Sequence, residues 1–309
     1  MYKKIIALIS TFIIFFSLTA CNNGKTGKDE SKINNSTLGK IDVVVSFNPL
    51  KEFTEAVGKD KVNVTSVVEG AVEPHDFEPK AKDLGNINNS KIFVYNGLGM
   101  EPWVDKVLES LDTNKVILVD SSKGVNPIKD SNSGEDGHEH GEYDPHIWLS
   151  LKEAKVQSKN IKEALIKADP SNKDYYEKNY EEFSNTLDNL YNEYKSKFDS
   201  LSNKRFVTGH AAFSYLCRDF NLEQNSIEGV YSEGEPSAKK LKELVEYSRK
   251  NNVKTIFSEE NASPEISKTL ANEVGAKVEK IYSLESKEDN KDYIESMRSN
   301  LEKIYSSLK

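Results

Sequence analysis

Cysteine is almost missing from this chain: Cys21 and Cys217 are the two in 309 residues. At most one disulfide can form, so the fold cannot rest on a disulfide framework and needs a hydrophobic core. Positive charge is also in short supply. Lys and Arg number 42 against 50 Asp and Glu, for a formal net charge of −8. That balance argues against a nucleic-acid partner and against adhesion to an anionic membrane by charge alone. Long apolar runs are absent but for one, from Ile5 to Leu18. Histidine is scarce too, five in all, which makes each placement informative.

The one apolar run follows Lys3 and Lys4 and ends in Leu18-Thr19-Ala20-Cys21. It is too short and too interrupted to span a bilayer comfortably, so it reads as a secretory signal rather than a transmembrane anchor. The Leu-Thr-Ala-Cys ending resembles a bacterial lipobox. That likeness implies cleavage before Cys21 and a lipid on its thiol, where two acyl chains anchor stably and one is marginal. Cys217 then has no partner, and its apolar setting, "FSYLCRDF", predicts a small buried hydrophobe. Residues 22–40 hold almost nothing apolar and are expected to be a solvated tether. "GKT" at Gly24–Thr26 looks like the tail of a phosphate loop, but Thr19 stands where that motif needs glycine.

What is present beyond residue 40 is an alternation of strand and helix patterns. "IDVVVSF" (Ile41–Phe47), Lys61–Val68, Lys91–Gly97 and Lys115–Ser121 read as apolar strands, with helices over Phe53–Gly58 and Glu101–Leu111. The grammar returns with strands over Lys204–His210, Asn221–Ile227, Val253–Glu259 and Ala276–Ser283. Helices over Pro236–Asn251 and Ser263–Gly275 lie among them, the second with Ser263 as N-cap, Pro264 at its first position and Gly275 as its stop. Repeated β-α-β units with apolar strands predict parallel sheets covered by helices, and 309 residues exceed one comfortable core and suit two lobes. Ser171–Leu201 has no internal Pro or Gly. Tyr176, Tyr180, Phe183, Leu187, Leu190, Tyr191, Tyr194 and Phe198 recur there at helical steps, which predicts one long, stiff helix with a packing stripe between the lobes. The expected organisation is a signal peptide (1–20), a tether (21–40), an N-terminal lobe (41–170), a connecting helix (171–201) and a C-terminal lobe (202–309).

Three histidines fall at carboxyl ends of expected strands, where open parallel α/β sheets bind ligands. His75 follows the second strand in "GAVEPHDFEP", His146 follows the fourth in "DPHIWL", and His210 closes "RFVTGH". Pro74 and Pro79 stiffen the first loop. Pro145 and the apolar Ile147-Trp148 press the second onto the body. Taken singly, a histidine in such a place is more often a hydrogen-bonded structural residue; together the three point to a metal site. Glu285, directly after the last strand, is the best fourth ligand, with Glu259 and Glu260 as alternatives. Cys217 would lie about 10 Å from His210 on a helix, too far to join. Three imidazoles and a carboxylate suit Zn2+ in tetrahedral geometry, whereas Mn2+ prefers more oxygen; Cu2+ and Ni2+ would also bind. His138 and His140 stand in Ser122–Tyr143, rich in Gly, Ser, Asp and Glu, and are expected to form an auxiliary mobile metal loop.

The stretches "GAVEPHDFEP", "NGLGMEPWVDKVL", "DPHIWL", "TGHAAFSYL" and "GEPSAKKLKEL" resemble the metal-binding lipoproteins of ABC importers, the cluster A-I family that carries zinc and manganese. The resemblance runs from Lys40 nearly to the C-terminus. It implies two Rossmann-like lobes joined by one helix, with metal held between them by His75, His146 and His210. It further implies delivery to a membrane permease driven by a separate ATPase. Manganese members tend to carry a carboxylate at the third position and Asp at the fourth; His210 and Glu285 look like the zinc branch. "WLSL" departs from the commoner "WLDP", and the His-bearing loop is short.

The expectation is therefore an extracytoplasmic Zn2+-binding lipoprotein, monomeric, held to the outer face of the cell membrane through Cys21, and not an enzyme. Mn2+ binding within the same importer class is the alternative metal. A surface zinc-dependent hydrolase or an adhesin is the alternative of a different class.

Overall fold

The structure, a computed structural model, describes residues 39–70, 72–130, 141–232, 236–260 and 264–309. Cys21, nearly all of the tether, His138, His140 and Ser263 lie outside the described residues.

The first sheet is built from β1 (Ile41–Val45), β2 (Val62–Ser66), β3 (Ile92–Tyr95) and β4 (Ile117–Asp120) in the order β2-β1-β3-β4, all parallel. Helices α1 (Asn48–Gly58), α2 (Ala81–Asn89) and α3 (Val104–Ser110) connect these strands. The second sheet, from β5 (Arg205–Thr208), β6 (Glu223–Ser226), β7 (Thr255–Ser258) and β8 (Lys277–Lys280), repeats that plan as β6-β5-β7-β8. Its helices are α6 (Ser214–Phe220), α7 (Ala238–Lys250) and α8 (Pro264–Val274), and α9 (Tyr293–Ser307) closes the chain. Between the sheets run α4 (Leu151–Ala168) and the long α5 (Lys173–Asp199). The expected α/β fold of two parallel-sheet lobes joined by one long helix is the observed one.

Strand alternation explains the layering. Val43 and Val45 of β1 join the inner core while Val44 joins an outer one; Ile92 and Val94 face inward and Phe93 outward. In the second sheet Phe206 and Phe257 face the inner core, Val207 and Ile256 the outer. Both faces of each sheet are thus dry, as a parallel sheet requires. Length alone suggests separate cores, but the inner core is shared. It runs from Phe47 and Phe53 through Trp148 and α5 to Phe213, Phe257 and Ile304. Each large apolar side chain buried in it contributes roughly 1.5–3 kcal/mol, so the halves are held together by the same residues that fill them.

The stripe on α5 is a packing face: Tyr176, Leu187, Leu190, Tyr194 and Phe198 are buried, with Tyr180, Phe183 and Tyr191 packed beside them. The helix begins two residues later than its sequence suggests. Pro170–Asn172 form a tight 3-10 turn instead, held by Asp169 accepting from Ser171 Oγ, Asn172 Nδ2 and Tyr176 Oη. Gly275 ends α8 with φ of 72°, a left-handed stop that glycine makes at no steric cost. Among the described residues no helix is long and apolar enough to cross a membrane.

Candidate metal centre

The four sequence candidates are carried to one place by the loops that follow β2, β4, β5 and β8. His75 lies in the 3-10 turn Pro74–Asp76 beyond β2, with Pro74 opening the turn. His146 starts the turn Ile147–Leu149 that leads into α4 and is fully buried. His210 sits two residues past β5, its carbonyl accepting from Thr208 Oγ1 and Gln224 Nε2 at 2.7 Å each. Glu285 lies within the loop from β8 to α9 and is 2 % exposed.

The donor atoms converge. His75 Nε2 is 3.5 Å from His146 Nε2. Glu285 Oε1 is 3.8 Å from His146 Nε2 and 3.9 Å from His210 Nε2. Ligand atoms of His75, His146 and Glu285 all lie within 4.8 Å of one another, and the His146 and His210 ring centroids are 5.2 Å apart. Four donors around a tetrahedral Zn2+ with bonds of ~2.0–2.1 Å would stand about 3.3 Å apart. The three shortest spacings, 3.5, 3.8 and 3.9 Å, need contractions of about 0.2–0.6 Å to close onto an ion, and the widest, within 4.8 Å, more.

Two details orient the donors. Asp144 Oδ1 lies 2.8 Å from His146 Nδ1 and accepts from the His146 backbone N–H at 2.9 Å. A carboxylate can only accept, so Nδ1 carries the proton and the Nε2 lone pair is left for the centre. Ser283 Oγ donates to Glu285 Oε2 at 3.0 Å, while Glu285 Oε1 is buried without a hydrogen-bond partner among the described residues. A buried, unsatisfied carboxylate oxygen aimed at imidazoles is costly unless a cation completes it.

The electrostatics agree. Burial, then the nearby Glu73, Glu259 and Glu288 carboxylates, pushes Glu285 well above the usual carboxylate range. Burial and the neighbouring His146 push His210 well below the usual imidazole value, keeping it neutral and able to donate its lone pair. Burial is the first cause of both shifts, and it disfavours a charge on either group unless an ion of opposite sign or a lone-pair acceptor is present.

The alternatives separate clearly. Glu259 is buried, but its Oε1 lies 3.6 Å from His210 Nδ1, behind the ring rather than beside Glu285. Glu260 is exposed and accepts from Ser286 Oγ at 3.4 Å. Cys217 is buried in the inner core on α6, where burial pushes its thiol up. Two participants escaped the sequence reading. Asp144 was legible in the "DPH" spacing; Tyr231, whose ring stands edge-on to His75 at 5.1 Å, was not, because that contact joins distant segments.

The family described as zinc-uptake complex component A, periplasmic (ZnuA), matches residues 43–307. A putative metal-binding protein of Treponema pallidum (strain Nichols) is 47% identical over 273 residues, 86% of each chain. The high-affinity zinc uptake system protein ZnuA of Bacillus subtilis (strain 168) is 39% identical over 100% of this chain and 99% of its own. Among solved structures, the laminin-binding protein Lmb of Streptococcus agalactiae, described as bifunctional with adhesin and metal-transporting activity, superposes with a TM-score of 0.79. It is 36% identical, over 87% of this chain and 100% of its own.

Proposed function

The chain belongs to the ZnuA family of zinc-uptake complex components, and from that premise we propose that it captures one Zn2+ between its lobes and hands it to an ABC permease driven by a separate ATPase. His75, His146, His210 and Glu285 are the proposed ligands. The observation that carries this reading is the convergence of His75, His146 and Glu285 donors within 4.8 Å, the Glu285 Oε1 among them buried and without a hydrogen-bond partner among the described residues. Three nitrogens and one oxygen favour zinc over manganese.

The same ligand count bears on catalysis. A hydrolytic zinc keeps one coordination position open for water or substrate. Here a protein carboxylate takes the fourth, so the family's transport role is the whole activity we propose. The lipid on Cys21, a monomeric state, an extracytoplasmic location and the lobe limits given above belong to the same proposal. His138 and His140 are proposed to gather zinc without forming the tight site; deleting residues 131–140 is expected to leave tight binding in place.

The experiment is a competition titration against a chromophoric zinc chelator. Each of His75→Ala, His146→Ala, His210→Ala and Glu285→Ala is expected to lower affinity by more than the ~10–100-fold that loss of a supporting partner costs. Affinity should fall as the medium is acidified, because imidazoles and carboxylate must shed protons to bind. Four variants that bind zinc as the parent does would overturn the assignment. The S. agalactiae relative favours a second reading, laminin adhesion; a surface-binding assay that shows no laminin capture by the full-length protein removes it.

A further inference from the structure

His146 belongs by sequence to the first lobe, yet its surroundings fasten it to the second. Trp148, two residues on, donates its indole N–H to the Ser283 carbonyl at 2.7 Å. Ser283 in turn donates its hydroxyl to Glu285 at 3.0 Å. The Trp148 carbonyl accepts from Tyr293 Oη at 2.6 Å on α9. Its ring stands edge-on to Phe47 at 4.8 Å and lies 5.1 Å from the His146 ring. Trp148 is fully buried, as is Tyr293 to within 2 %. On the other side of His146, Tyr215 of α6 donates to the Asp144 carbonyl at 2.6 Å.

We propose that Trp148 is a positioning residue for metal binding: a strut that sets the separation of His146 and Glu285 by joining the two loops across the lobes. The geometry favours this over simple core filling. A filler would need only the ring, whereas this indole spends its one polar atom on the carbonyl two residues before Glu285. That bond fixes where the Glu285 loop stands relative to the turn that presents His146. The 3.8 Å between His146 Nε2 and Glu285 Oε1 is therefore set by a bond that does not involve the ion, so less ordering remains to be done on binding. Supporting groups of this kind commonly govern metal affinity as strongly as 10–100-fold. The inference rests on the zinc reading above.

Trp148→Phe keeps an aromatic ring and removes the N–H. Full-length parent and variant are titrated with Zn2+, and each is loaded with Co2+ to read the visible bands, whose intensity reports tetrahedral geometry. We expect the zinc Kd to rise by ~10-fold or more and the cobalt bands to weaken and shift. Phe93→Leu, in the outer core of the first lobe, serves as a destabilised control and should keep the parental affinity and spectrum. An unchanged Kd and spectrum in Trp148→Phe would overturn the proposal, as would an equal loss in Phe93→Leu. Should Trp148→Phe fail to fold, Tyr293→Phe, which deletes only the hydroxyl that holds the Trp148 carbonyl, decides by the same two readouts. If the parent itself binds no zinc, or His146→Ala binds as well as the parent, the zinc reading has failed and not the strut.

Discussion

The two lobes share one strand order, and each buries a carboxylate where its third strand, β3 or β7, ends; they treat that carboxylate differently. In the first lobe Glu101 accepts from Ser46 Oγ, from the Asn96 N–H at 2.7 Å and from the Gly97 N–H at 3.2 Å. Asn96, fully buried, spends its own side chain on the Pro145 carbonyl and on Gln157. In the second lobe Glu259 accepts from the His210 N–H at 3.5 Å, a long bond, and its Oε2 has no hydrogen-bond partner among the described residues. Burial raises both acids, Glu101 to about 7 and Glu259 to about 8. The same crevice has been closed by hydrogen bonds in one lobe and left with open acceptors beside a histidine in the other. The first is scaffold; the second leaves an open acceptor oxygen beside a proposed metal ligand.

The comparison is broken most readily by deleting each acid. Glu101→Ala strands two buried donors and one part-buried donor, the buried ones worth ~1–3 kcal/mol each, so the metal-free protein should lose ~3 kcal/mol or more in urea denaturation. Glu259→Ala removes a carboxylate with an open Oε2 acceptor and should cost less, about 1 kcal/mol. Equal losses would erase the distinction. The zinc titration should reverse the order of interest: Glu259→Ala is expected to raise the zinc Kd by ~10-fold, since the carboxylate behind His210 orients that ring.

A smaller effect is carried by pH. Both folded-state values lie above 4.5. The folded chain therefore keeps protons that the unfolded chain releases, and stability falls as pH rises, through about 7 for Glu101 and about 8 for Glu259. Glu259→Gln should flatten the upper part of that fall in a series of metal-free urea melts. His210 acts in the opposite direction. Its lowered value means stability is lost as pH drops below 6.5, where the unfolded imidazole takes up a proton that the folded one refuses. The smallest expected change is that zinc saturation removes the Glu259 and Glu285 share of the alkaline fall and leaves the Glu101 share, visible as a shallower but persistent slope.

Much of this was legible in the sequence because the physics is local. "IDVVV" and "IFVY" are apolar and β-branched or aromatic, and the proline-bracketed histidines lie beyond strand ends. The helix α4 went unread: its sheet-facing side carries Gln157 and Ser158, buried polar residues that blur an apolar stripe. The edge strand β8, "KVEK", is mostly charged, as an exposed sheet edge tends to be, and is shorter than the Ala276–Ser283 that the sequence suggests. Glu285 was preferred over Glu259 by position alone; both are buried and stand on opposite nitrogens of His210, a distinction that position along the chain does not encode. Trp148 read as an apolar lid that dries His146. Its bond to Ser283 spans 135 residues, a pairing that local pattern does not encode.

X-ray absorption at the zinc edge of the loaded full-length protein tests the four-ligand centre most directly. One equivalent of zinc with three imidazole nitrogens and one carboxylate oxygen at ~2.0–2.1 Å is the expected result. Imidazole scattering from fewer than two rings, or an ion surrounded chiefly by water oxygens, would contradict it.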